Sequence, residues 1–111
     1  MDDFAFNKYQ ELAGRTAGAG GGGDRRLIIA ALGLAGEAGE FANMVKKLTA
    51  HGHEISVDTL AEELGDILWY VAEAATACKL NMGDIAFENV EKLRRRYPEG
   101  FSQDRSINRQ D

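Results

Sequence analysis

Two acidic pairs carry the chemistry that this sequence can do. Glu37 and Glu40 stand three residues apart, and so do Glu63 and Asp66. On an α-helix, residues three apart lie on one side about a turn apart. Each pair therefore presents two carboxylates in one direction, and four converge where two such helices pack side by side. Like charges at this spacing repel by about 0.2–0.5 kcal/mol per pair. Gly33, Gly36 and Gly39 flank the first pair, and each interior glycine costs about 1 kcal/mol against alanine. Selection for helix stability alone does not produce this combination. A divalent cation between the carboxylates makes it favourable, because hard ions such as Mg2+ take oxygen ligands and bridge carboxylates to substrate phosphates. The alternative is a pair of solvated helix faces carrying ordinary surface glutamates.

The elements that must position these groups read as helices. Apolar residues at Leu27, Leu34, Ala38, Phe41, Val45 and Leu48 predict a helix over about 25–49. Glu37 and Glu40 border that stripe, and Lys46 and Lys47 suit its C-terminal dipole. A further helix is expected from Val57–Asp58 to about Leu80, with Asp58 as N-cap. Its core stripe is Leu60, Ala61, Leu64, Ile67, Leu68, Val71, Ala75 and Cys78. Glu63, Asp66 and Tyr70 share one flank of it, with Glu62 and Trp69 round the other side. The run from Ile67 to Ala72 is apolar or aromatic all the way round, which predicts burial on more than one side and a second subunit as the additional cover.

Two helices flank this pair. Phe4, Phe6, Tyr9, Leu12 and Ala13 predict a first helix over 3–13, with Tyr9 and Gln10 near its middle. Asn81 is an N-cap for a last helix over 82–97, with Met82, Ala86, Val90, Leu93 and Tyr97 on its core face. Asn89, Lys92 and Arg96 share a flank there, and Arg94 and Arg95 extend the basic cluster. An acidic cluster to hold metal and a basic, amide-bearing flank to hold phosphate are the requirements of phosphoryl or nucleotidyl chemistry. Taken alone, the basic flank is a solvated C-terminal turn favoured by the helix dipole.

The remaining segments are less informative. Residues 14–24 are glycine-rich, but they lack the Gly-Lys-Ser/Thr that opens a phosphate-binding helix after a strand, and they read as a flexible loop. His51 and His53 straddle a glycine without further ligands at zinc spacing and read as surface residues. Residues 98–111 read as a polar tail. The single cysteine, Cys78, reads as a core residue. With 111 residues and one proline, the chain is expected to form one all-α domain, a subunit of the four-helix-bundle type. Its net charge of −5 disfavours a nucleic-acid-binding surface. No signal peptide is evident, and no apolar run approaches the roughly 20 residues of a membrane span. A cytoplasmic, soluble protein with no membrane partner is therefore expected.

The ordered set Glu37-x-x-Glu40 and Glu63-x-x-Asp66, with the Tyr9-Gln10 pair, LGLAGEAGE, EELGDILWY and NVEKLRRRYPEGF around it, resembles the MazG-like all-α nucleotide pyrophosphohydrolases over nearly the whole chain apart from the glycine run. The resemblance implies hydrolysis of a nucleoside triphosphate between its α and β phosphates, giving the monophosphate and pyrophosphate, in removal of modified or surplus nucleotides. It implies Mg2+ (Mn2+ as a substitute) held by Glu37, Glu40, Glu63 and Asp66, and Asn89, Lys92 and Tyr97 near the nucleotide, with Arg96 as a further candidate. A glutamate not saturated by metal would orient or deprotonate the attacking water, and Glu37, Glu40 and Glu62 are the candidates. Trp69 and Tyr9 are candidates for base stacking, with a core or interface role as the alternative. A dimer or dimer of dimers is also implied. The competing class is a non-catalytic helical interaction protein whose acidic pairs bind ions weakly.

Overall fold

A computed structural model describes residues 3–18, 22–50 and 56–100. His51, His53 and most of the C-terminal tail lie outside the described residues. Four helices follow one another: α1 (Asp3–Gly14), α2 (Gly23–Ala50), α3 (Val57–Ala77) and α4 (Met82–Arg96), with no β-strand among the described residues. α2 packs along α3, and α1 packs on both α3 and α4.

Local chemistry sets the helix ends. Ser56, not Asp58, caps α3. Its backbone is extended, and its side chain accepts the Thr59 N–H at 3.1 Å, satisfying one of the orphan donors of the first turn. α3 also stops earlier than its apolar stripe suggests. Lys79 takes a left-handed conformation (φ 59°). The N–H of Leu80 then bonds the Ala75 carbonyl at 2.9 Å, and that of Lys79 bonds Thr76 at 3.0 Å, the paired bonds of a Schellman turn. Cys78 is thereby placed at the C-cap. It is exposed, which corrects the expectation of a core cysteine.

The first backbone donors of α4 are all occupied. Met82 N–H bonds Gln10 Oε1 at 2.8 Å, Gly83 N–H bonds Asn7 Oδ1 at 2.9 Å, and Asp84 N–H bonds the cap Asn81 Oδ1 at 2.9 Å. The amide of Gln10 also donates to Thr76 Oγ1 and to the Leu80 carbonyl. One α1 side chain thus ties the end of α3 to the start of α4.

The core is small. Ala13, Ala72, Ala75 and Met82 form it, with Phe6, Tyr9, Trp69 and Val71 packed against it. Several residues expected in the core are exposed in the single chain, among them Leu64, Leu68, Val90 and Leu93. Leu32 on α2 is 70% exposed and Phe87 on α4 is 50% exposed. The radius of gyration is 16.9 Å, against about 13 Å for a compact domain of this length. Apolar side chains of both α2 and α3 are thus left uncovered in the single chain.

The expectation about apolar runs is also corrected. From Gly23 to Thr49, α2 is long and apolar enough, by length and composition, to cross a membrane. Between Leu27 and Val45 only Glu37 and Glu40 carry charge. Glu37 interrupts the run on the side that meets α3, and Glu40 is exposed a turn further on.

Candidate metal centre

Three cross-helix relationships fix how α2 and α3 align. Arg26 pairs with Glu73, Gly33 lies under the ring of Tyr70, and Glu37 meets Glu63 and Asp66. Position numbers rise on one helix as they fall on the other, so the pair is antiparallel. Arg26, Ala30, Gly33, Glu37 and Glu40 alternate steps of four and three on α2. Glu63, Asp66, Tyr70 and Glu73 step by three, four and three on α3. Each set forms one continuous helical stripe, and the three cross-helix relationships lie along these stripes and mark the seam.

Near its centre, Glu37, Glu63 and Asp66 each offer a carboxylate oxygen, and these oxygens lie within 4.8 Å of one another. Glu37 and Glu63 are half-buried and Asp66 is exposed. Oε2 of Glu63 is shielded from solvent and has no hydrogen-bond partner. The Glu63 carboxyl is pushed up to about 7, first by a proton shared with Glu37, then by burial, then by the negative charges of Glu37, Asp66 and Glu40. A buried acceptor without a donor is costly. Here the missing partner must be a proton or a cation. The donor set is oxygen-only and anionic, which suits a hard divalent ion such as Mg2+, so these residues fit the expected metal.

The other candidate residues are distributed as follows. Glu40, a turn beyond Glu37, is exposed and outside the three-oxygen group, though its charge reaches Glu63. Glu62 is exposed and also outside it. Tyr9, from α1, packs on the core, and its hydroxyl is pushed up first by burial and then by the charge of Asp66. Tyr9 therefore adjoins the acidic cluster from a third helix. The Trp69 indole N–H donates to Thr16 Oγ1 at 2.8 Å, and its ring meets Tyr70 edge to face, centroids 5.0 Å apart. Trp69 and Tyr70 line the same cavity, although helical phase alone sets Trp69 away from the acidic flank. Asn89 is exposed and Lys92 half-buried on α4, whose main packing partner is α1. Arg96 and Tyr97 are half-buried at the end of α4. None of these four belongs to the carboxylate group.

Reading the sequence alone passed over one further pair. Arg26 Nε and Nη2 donate to Glu73 Oε1 and Oε2 at 3.0 and 2.9 Å. Glu73 is buried, and the pairing holds the Arg26 guanidinium more firmly charged than usual. The signal was present but faint: Glu73 continues the spacing of Glu63, Asp66 and Tyr70, and Arg26 continues that of Glu37 and Gly33.

Residues 28–101 match the MazG nucleotide pyrophosphohydrolase domain, a span that includes both acidic pairs, all of α3 and all of α4. The chain is also 37% identical over 109 residues to the Gene 37 protein of Mycobacterium phage L5, covering 91% of this chain and 96% of that protein. No solved structure matches significantly. By the domain match and the seam that carries its acidic pairs, the chain belongs to the MazG nucleotide pyrophosphohydrolase family.

Proposed function

We propose that this chain is a metal-dependent nucleoside triphosphate pyrophosphohydrolase, releasing pyrophosphate and leaving the monophosphate. The observation that carries the reading is the solvent-shielded, partnerless oxygen of Glu63 amid two further carboxylates. Glu37, Glu63 and Asp66 hold the ion, with Glu40 as a fourth ligand from the next turn. When bound there, Mg2+ (or Mn2+) neutralises phosphate charge and lowers the pKa of a coordinated water.

The chain's own residues supply the rest. A carboxylate left free of metal orients the attacking water and takes its proton at an Oε atom. Glu37, Glu40 and Glu62 are the candidates; Glu40 and Glu62 are exposed and lie outside the three-oxygen group, whereas Glu37 serves only if the ion does not saturate its carboxylate. Asn89, Lys92 and Arg96 bind the phosphates, and their positive or amide character offsets the charge that develops on them. Tyr97 contacts the nucleotide from the C-cap of that helix. Tyr9 lies beside Asp66 and helps close the acidic cluster on the α1 side.

The active form in this proposal is a dimer or dimer of dimers. The exposed apolar side chains and a surface of 8027 Å², against about 6,000 Å² for a compact monomer of this mass, support a partner copy. Because α4 rests on α1, assembly is also a route by which a phosphate-binding helix reaches the carboxylates.

The test is a screen of common, deoxy and modified triphosphates for pyrophosphate release with Mg2+ and with EDTA. Release that requires the metal is expected. No release from any triphosphate would leave the helical interaction protein as the better account.

A further inference from the structure

The part of α2 that meets α3 repeats itself. Gly33 precedes Glu37 by four residues, and Gly36 precedes Glu40 by four. Moving α2 along α3 by three residues, about 4.5 Å of rise with a roll of about 60°, exchanges one set for the other. Gly36 then lies under Tyr70, and Glu40 stands opposite Glu63 and Asp66. The bare backbone that the ring needs and the acid that the cluster needs are both present again. Neither contact therefore defines the axial register of the two helices. The carboxylates favour neither arrangement by themselves, since without a cation they repel in both.

Arg26 and Glu73 are not repeated, for three residues on from Arg26 stands Ile29. Glu73 lies ten residues beyond Glu63 on α3, and Arg26 lies eleven before Glu37 on α2, about 15 and about 16.5 Å along the two helices. They join the helices at a second point well away from the acids. The pairing is two-pronged, Nε to Oε1 at 3.0 Å and Nη2 to Oε2 at 2.9 Å, and the Glu73 side chain is only 8% exposed. After the three-residue slip Glu73 would face Ile29 and become a buried carboxylate without a counter-charge, a heavily penalised state. Fixing one arrangement among near-equal ones is the best-attested use of a buried polar or charged group.

We infer that Arg26 and Glu73 are positioning residues of the metal centre: their pair selects the register that sets Glu37, and not Glu40, opposite Glu63 and Asp66. This rests on the metal centre of the pyrophosphohydrolase reading. The pair touches neither ion nor nucleotide and acts through the place of Glu37. The native register also leaves Glu40 as the carboxylate of the next turn. In the slipped one that place falls to Asn43, so the ion loses an anionic ligand.

The test must separate register from stability. Removing one partner strands the other, so single truncations mix the two effects. Replacing both, Arg26→Met with Glu73→Leu, takes away the buried charges and leaves stability equal or higher. Without metal, this double variant should therefore melt no lower than the wild type. In nuclear magnetic resonance spectra, the ring current of Tyr70 should displace the Gly33 backbone signals of the wild type. In the double variant that displacement should be shared with Gly36 or move to it. Calorimetric titration with Mg2+ should give a dissociation constant at least about tenfold weaker for the double variant, the usual effect of losing a group that orients a ligand. If the double variant does not fold, Arg26→Lys keeps the charge and loses the two-pronged bond, and should change both readouts in the same direction. Gly33 signals that stay in place, or Mg2+ affinity equal to that of the wild type, would overturn the inference. A wild type that binds no Mg2+ would overturn it together with the metal centre. Mg2+ binding by the wild type without hydrolysis of any triphosphate would sink only the pyrophosphohydrolase reading.

Discussion

The ring of Tyr70 rests on the bare backbone of Gly33, so closely that a methyl group there would overlap it. This contact sits between the acidic cluster and the cavity and sets the separation of α2 from α3 at both. Gly36 and Gly39 are different, for a Cβ at either meets nothing.

Alanine substitutions should therefore split in sign. Gly33→Ala forces the seam apart, and its overpacking of about 1–3 kcal/mol outweighs the gain of about 1 kcal/mol in helix propensity. Gly36→Ala keeps that gain and should stabilise. Urea unfolding of both variants checks the contrast. A stabilised Gly33→Ala protein would mean that Tyr70 moves freely and the seam is not set by this contact.

Glu63 gives a pH dependence of definite sign. Its carboxyl titrates at about 7 in the folded protein against an ordinary value of 4.5. A folded-state pKa above the unfolded one stabilises fully below the unfolded value and loses that contribution as pH rises through the folded one. The metal-free protein should thus lose melting temperature between about pH 4.5 and about 7, and Glu63→Gln should flatten this part of the profile. Added Mg2+ requires the ionised form, so its stabilising effect should be larger above about pH 7 than below it. A Glu63→Gln profile parallel to the wild type would show that the proton is held elsewhere.

Lys79 holds a left-handed backbone at the end of α3, a conformation that costs a non-glycine residue about 1–2 kcal/mol. Lys79→Gly should stabilise the protein by about 1 kcal/mol, since glycine favours this position in a Schellman turn. Thermal melting measures it, and a lower melting temperature would mean that the lysine side chain makes a compensating contact.

Asn89→Ala and Lys92→Ala should weaken nucleotide binding and leave the Mg2+-induced melting shift unchanged, because neither residue belongs to the carboxylate group. Calorimetric titration with a non-hydrolysable triphosphate, beside Mg2+ melts, separates the two effects. Equal loss of both would indicate that α4 has come off α1.

The helices were legible because apolar spacing and caps such as Asn81 are local. Where reading failed, the cause was also local but ambiguous. Ser56 and Asp58 are both capping residues, and only the extended backbone at Ser56 decides between them. Nothing in a lysine announces a left-handed turn, so the stripe was carried on through Cys78. The acidic pairs stood out by their repeated spacing. Arg26 and Glu73 did not, because their pairing spans 47 positions and depends on the α2–α3 register, which no short-range pattern specifies. The core was expected to be larger because a periodic stripe identifies an apolar face and not what covers it.

The most direct test of the central claim is a pair of measurements on the wild type and on Glu63→Gln, Glu40→Gln and Asp66→Asn: melting with and without Mg2+, and pyrophosphate release from a triphosphate. The wild type should gain about 2.7 kcal/mol at a hundredfold excess of Mg2+ over its dissociation constant. Each variant should lose most of that gain and most of the turnover, because the ligands act as a unit. Without metal, Glu63→Gln should melt no lower than the wild type, since it removes a crowded acid with one shielded, unpartnered oxygen. Glu91→Gln, which removes a pair with the exposed Arg94 away from the carboxylate group, should behave as wild type. If Glu63→Gln instead melts lower without metal yet keeps both its Mg2+ shift and its turnover, the acidic pairs are structural and the metal-centre account is wrong.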